Sequence, residues 1–154
     1  MWQTPLRERR AITVQGIVQG VGFRPFIYAL AQRHGLTGWV RNDASGVSIE
    51  VEGAPVALDR FLQGMRVEAP PLAVLETLTW QSCAAQGACT FRIEESREGA
   101  QRRALIAPDV ATCAACLEEL FDPANRRYRY PFINCTNCGP RFTITRAVPY
   151  DRAL

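Results

Sequence analysis

The chain of 154 residues contains no lysine: its 18 basic side chains are all arginines. That absence excludes a Schiff-base lysine and the phosphate-binding lysine of a Walker A loop. Histidine occurs once, as His34. It falls at the end of a helical pattern and directly before Gly35, so a place at a helix C-terminus accounts for it better than catalysis does. No apolar run reaches membrane-spanning length, and the start of the chain, with Arg7, Glu8, Arg9 and Arg10, is not followed by the unbroken apolar stretch of a signal peptide. The expected location is therefore the cytoplasm, with no membrane partner. A net charge of +3 is too small to argue for a nucleic-acid partner by itself. The remainder, 47% hydrophobic and 21% charged, suits one globular domain with or without a small module.

The stretch around which the chain is organised is Val18-Gln19-Gly20-Val21-Gly22-Phe23-Arg24-Pro25. It closes an alternating apolar strand, turns on two glycines and opens an amphipathic helix, with Pro25 suited to the first helical position. Backbone N–H groups of residues 19–24 can converge on an anion at a helix start, and Arg24 adds a planar, permanently charged fork. A purely conformational role for the glycines competes with this reading; the arginine favours the anion.

In chain order, Ala11 to Val18 alternates as a strand, and Phe26, Ile27, Leu30 and Ala31 recur at helical spacing. Leu36 to Arg41 and Val47 to Glu52 form a hairpin around Asn42-Asp43-Ala44-Ser45-Gly46. Leu58, Phe61, Leu62 and Met65 mark a second helix that ends before Pro70-Pro71. Leu72 to Trp80 and Cys89 to Ile93 read as further strands. The fold class is α+β, a ferredoxin-like βαββαβ arrangement with an extra strand segment. Asn42, at the hairpin mouth, is either a plain turn residue or, if that mouth faces the glycine turn, the group that holds a water in line with a phosphate on Arg24.

Cys113 and Cys116, then eighteen residues, then Cys135 and Cys138 give two CxxC pairs at the spacing of a tetrahedral zinc site. Four thiolates leave no open position, so the zinc would be structural, holding a segment too short to build a core of its own. A disulfide is the competing arrangement, disfavoured because nothing indicates export. Cys83 and Cys89 are expected as reduced thiols packed like small apolar groups. The arginine–aromatic alternation Arg126-Arg127-Tyr128-Arg129-Tyr130-Pro131-Phe132 suits either a stacking surface for nucleic acid or a cover that offsets the charge of a thiolate centre.

Gly20-Val21-Gly22-Phe23-Arg24, with Gly35-Leu36-Thr37-Gly38-Trp39-Val40-Arg41-Asn42 and Val51-Glu52-Gly53, resembles the acylphosphatase signature over roughly Ala11 to Glu95. The resemblance implies that Gln19, Gly20, Val21, Gly22, Phe23 and Arg24 bind the phosphate of an acyl phosphate and that Asn42 orients the attacking water. Further on, Pro108-Asp109, Cys113-Ala114-Ala115-Cys116, Glu119-Leu120, Asp122-Pro123, Asn134 to Phe142 and Pro149-Tyr150-Asp151-Arg152 resemble the first zinc finger of HypF-type carbamoyltransferases. That family implies carbamoyl phosphate as donor, ATP used in downstream domains, and a HypE-type protein whose C-terminal cysteine receives the carbamoyl group during [NiFe]-hydrogenase maturation. The chain stops at Leu154, before those domains, so it is expected to be an N-terminal piece: an acylphosphatase-like domain over 1–95, a linker over 96–110 and a zinc-finger module over 111–154.

The expected activity is hydrolysis of carbamoyl phosphate. The alternative, an RNA-binding sheet plus finger, conflicts with Val47 to Glu52, which is acidic and lacks the aromatic residues that a sheet of this kind uses for stacking. The two modules have separate sources of stability, one a core and one a metal. Chelation is accordingly expected to unravel the chain after about Asp109 and to spare turnover.

Overall fold

Alternation along Glu8–Ile17 builds β1, with Ile12 and Val14 buried and Ala11, Thr13 and Gln15 on the opposite face. The structure, a computed structural model, describes residues 7–97, 105 and 107–139. Gly99, Arg102 and Arg103 of the expected linker, and Pro140 to Arg152 of the finger resemblance, lie outside the described residues. Helix α1, Phe23–Arg33, follows the glycine turn and buries Phe23, Ile27, Leu30 and Ala31. It starts two residues earlier than expected, which puts Pro25 third in the helix. That position is still within the first turn, where a missing N–H costs no intrahelical bond. His34 caps the other end and Gly35, at φ 62°, turns the chain away, as the sequence indicates.

Strands β2, Thr37–Asp43, and β3, Gly46–Gly53, pair antiparallel from Thr37 with Glu52 to Asp43 with Gly46. The hairpin turn is therefore only Ala44-Ser45, and Asn42 belongs to the strand. Helix α2, Pro55–Val67, begins on Pro55 and buries Leu58, Phe61 and Met65, with Leu62 partly buried. Strands β4, Val74–Cys83, and β5, Phe91–Ile93, complete a sheet of order β4-β1-β3-β2-β5. The first four strands keep the expected ferredoxin-like order, and β5 adds itself parallel to β2. Residues of both helices and of the inward strand positions Ile12, Val14, Val40, Ile49 and Val51 share one core. Full burial of each large side chain there contributes about 1.5–3 kcal/mol before entropy is counted.

The described part of the expected linker is tied to this domain. Arg97 N–H donates to the Asn42 carbonyl (2.9 Å), Glu94 N–H donates to the Val40 carbonyl (2.9 Å), and Ala107 is buried in the main core. The chain thus continues along β2 after β5, a pairing that polar, aperiodic residues do not signal. Cys83 is half-buried and Cys89 exposed, so neither is packed in the core as expected: both stand where the chain leaves or approaches the sheet edge.

On the other face of the sheet Glu52 is buried, at 1% exposure. It accepts N–H bonds from Gln86 (2.8 Å) and Gly87 (3.2 Å), and faces Arg7 (3.4 Å) and Arg9 (3.5 Å). The N–H of Gln86 contributes most, ahead of the opposing effect of burial; with Gly87 and the two guanidinium groups it holds the carboxyl below the usual carboxylate range. A folded value depressed in this way adds stability that is complete above about pH 5 and is lost as the pH falls through it. Thermal denaturation of wild type and Glu52→Gln across pH should show the variant less stable by about 2–3 kcal/mol near neutrality and the gap closing on acidification. A gap independent of pH would contradict this role.

Candidate active site and metal centre

Gly20 and Gly22 adopt φ of 73° and 77°, left-handed values that cost other residues about 1–2 kcal/mol. Gly22 is the N-cap of α1; no side chain caps that helix and no acidic residue stands in its first turn. The start of α1, beside Phe23 and Arg24, is thus the positive end of the helix dipole, where an anion is favoured.

The Gln19 side chain has a structural part of its own, beside the backbone role that the resemblance implies for the loop. It is 2% exposed, and its amide donates to the carbonyls of Asp43 (2.7 Å) and Gly46 (2.7 Å), tying the glycine turn to the hairpin. The hairpin itself is locked by the Asp43 carboxylate, which accepts from Ser45 N–H (2.8 Å), Ser45 Oγ (2.7 Å), Gly46 N–H (3.0 Å) and the Ser48 hydroxyl. Partial burial opposes that charge, but these donors, Ser48 and Ser45 foremost, prevail and hold Asp43 below the usual carboxylate range. Val21, also expected in the loop, turns its side chain into the core.

Asn42 lies on the inward face of β2, buried at 1% exposure, because the alternation that buries Gly38 and Val40 reaches it two residues later. It meets Gly20, Gly22, Phe23 and Arg24 around one cavity of about 210 Å³. That is smaller than the roughly 300–1,000 Å³ of drug-sized sites, so the ligand is small. Val18 and Pro25 complete this side of the wall, and Asn134, Cys135 and Thr136 form the other. The last three belong to the finger, which therefore borders the cavity, with Thr136 against Gly22. Spacing carries no signal for this contact, and Cys135 is legible only as a metal ligand.

Helix α3, Ala114–Phe121, carries Cys116, and the four sulfurs of Cys113, Cys116, Cys135 and Cys138 lie within 4.8 Å of one another. Cys113 and Cys135 are 3.5 Å apart, and Cys138 is 3.9 Å from both Cys116 and Cys135. A tetrahedron with metal–sulfur bonds of about 2.3 Å has edges of about 3.8 Å, whereas a disulfide needs about 2.05 Å. The donor set therefore fits zinc and not a disulfide. Burial first, and the neighbouring thiols after it, push Cys116 up to about 12. Cys138 is held down at about 7 by the N–H groups of Cys135 and Cys113, although burial opposes its charge. Without metal Cys116 keeps its proton, and zinc binding must expel it.

This order of strands, with both long helices sharing one core with the sheet and a glycine turn leading into α1, is an acylphosphatase-like fold. Residues 10–93 match the acylphosphatase family and residues 112–145 match the HypF finger. The chain belongs to the acylphosphatase family, with a HypF finger as its second module. It is 55% identical to carbamoyltransferase HypF2 of Cupriavidus necator over 153 residues, 98% of this chain and 19% of that protein. A crystal structure of full-length HypF in its phosphate- and nucleotide-bound form superposes with a TM-score of 0.89 at 44% identity, over 98% of this chain and 20% of that one. The acylphosphatase of Bacillus subtilis matches 58% of this chain and 99% of its own, with a TM-score of 0.53 and 33% identity. The chain thus spans about a fifth of the length of the HypF relatives it matches. Among the described residues no helix is long and apolar enough to cross a membrane.

Proposed function

We propose that this chain hydrolyses the acyl phosphate bond of carbamoyl phosphate, as the acylphosphatase-and-finger part of a carbamoyltransferase for [NiFe]-hydrogenase maturation in the cytoplasm. The observation that carries this reading is the convergence of Arg24, Asn42 and the start of α1 on one small cavity. The phosphate takes the N–H groups of the glycine turn and the guanidinium of Arg24, which neutralise charge as it builds on the transferring group. Asn42 orients a water toward phosphorus. Its oxygen forms the new P–O bond while the bond to the carbamoyl oxygen breaks. Carbamate leaves as a resonance-stabilised anion, so no general acid is needed, and the water's protons pass to phosphate oxygens and solvent.

Zinc on Cys113, Cys116, Cys135 and Cys138 would supply cross-linking only, because the four thiolates complete its coordination. A HypE-type acceptor and ATP belong to the activity of the complete carbamoyltransferase. RNA binding is disfavoured because Glu50 and Glu52 occupy the positions on the helix-free face of β3 where stacking aromatics would stand. Phosphate release from carbamoyl phosphate and acetyl phosphate, measured side by side, tests the activity, and no release from either would end this reading. Asn42→Ala should lower kcat about a hundredfold while the dissociation constant of inorganic phosphate moves less than about threefold. An equal loss of phosphate affinity would place Asn42 on the phosphate rather than on the water.

A further inference from the structure

The finger residues that border the cavity are held firmly. Arg127 donates from Nε to the Glu119 carboxylate of α3 (2.6 Å) and from Nη1 to the Asn134 carbonyl (2.8 Å), while Gly139 N–H donates to the Cys135 carbonyl (2.8 Å). This segment lies against the first domain at Gly22 and at Leu72. A Cβ placed on Gly22 would lie 2.9 Å from Thr136 Cβ and 3.4 Å from its Cγ2, and one placed on Gly139 would lie 3.3 Å from Leu72 Cδ1 and 3.8 Å from the Gly20 carbonyl oxygen.

In-line attack fixes how a substrate must lie. The phosphate occupies the glycine turn and Arg24, water stands with Asn42, and the leaving acyl group extends away from that water. The cavity of about 210 Å³ that must also take this group is lined on the finger by Asn134, Cys135 and Thr136. We infer that Thr136 is a specificity-determining residue, its side chain limiting the acyl group to small ones such as carbamoyl or acetyl and excluding aromatic acyl phosphates. This rests on the hydrolase reading given above and adds to it a wall that the acylphosphatase fold does not itself provide, since Thr136 lies beyond residues 10–93.

The test compares acetyl phosphate with benzoyl phosphate on the zinc-loaded full chain, as kcat/KM, in wild type, Thr136→Gly, Thr136→Ser and Thr136→Val, with the exposed Phe121→Ala as control. Binding of acetylphosphonate and benzoylphosphonate, and of inorganic phosphate, is measured alongside zinc content. Thr136→Gly should raise the benzoyl-to-acetyl ratio at least about tenfold through KM, and should tighten benzoylphosphonate by a similar factor. Affinity for inorganic phosphate should stay within about threefold of wild type. Thr136→Val, which keeps the shape, and Phe121→Ala should retain the wild-type ratio, and Thr136→Ser should fall between; it carries the test if the glycine variant loses zinc or fails to fold. An unmoved ratio in the serine and glycine variants, or an equal loss on both substrates, would overturn the inference while leaving the hydrolase reading standing. Wild-type inactivity on both substrates and on carbamoyl phosphate would overturn both.

Discussion

Arg24→Ala is expected to lower kcat/KM for an acyl phosphate by about a thousandfold, roughly 4 kcal/mol of transition-state stabilisation, and to weaken inorganic phosphate binding in parallel. Its melting temperature should stay within a few degrees of wild type. The asymmetry has a physical cause in the position of the residue. Arg24 is the second residue of α1, so its positive charge stands at the positive end of the helix dipole, an arrangement that costs the free protein about 0.3–1 kcal/mol. Removing it therefore takes little from the folded chain and nearly everything from the bound anion. Arg24→Lys should also fail, by at least about a hundredfold, because an ammonium cannot present two parallel donors to a phosphate. Wild-type turnover in either variant, measured as phosphate release, would remove Arg24 from the mechanism.

Zinc removal is the second large effect. Among the described residues the finger buries only Cys116, Ile133 and Cys138, with Val110, Leu120 and the other two cysteines partly covered. So small a cluster cannot offset the entropy of ordering the segment, whereas zinc–thiolate binding contributes about 10–16 kcal/mol in peptides of this kind. Chelation, or Cys116→Ala, should expose the chain after about Asp109 to protease and leave a resistant first domain with its own cooperative melting transition. Separate stability does not make the site independent. Cys135 is at once a sulfur of the cluster and part of the cavity wall, so the metal-free chain should keep most of its affinity for inorganic phosphate and lose its discrimination between acetylphosphonate and benzoylphosphonate. Unchanged discrimination in chain shown by metal analysis to be zinc-free would contradict the shared wall.

Much of this was legible in the residues themselves. Period-two and helical spacings depend on side chains a few positions apart, and they located both long helices, the hairpin and the central strands. The glycines, Arg24 and the two CxxC pairs carry their chemistry in local pattern, because a left-handed turn, a guanidinium fork and a tetrahedral thiolate set each demand particular residue types at fixed spacing. Asn42 stood in the pattern without its burial: the register of β2 on β3 sets which way it faces, and the Gln19 bonds to the hairpin carbonyls tie that strand end to the glycine turn. The contact of Thr136 with Gly22 joins residues more than a hundred positions apart. A pattern in sequence records what neighbours along the chain require of one another. Which surface of the finger faces the glycine turn follows instead from packing between elements, through Leu72, Gly139 and the chain path past Ala107, and that was decided by the tertiary structure alone.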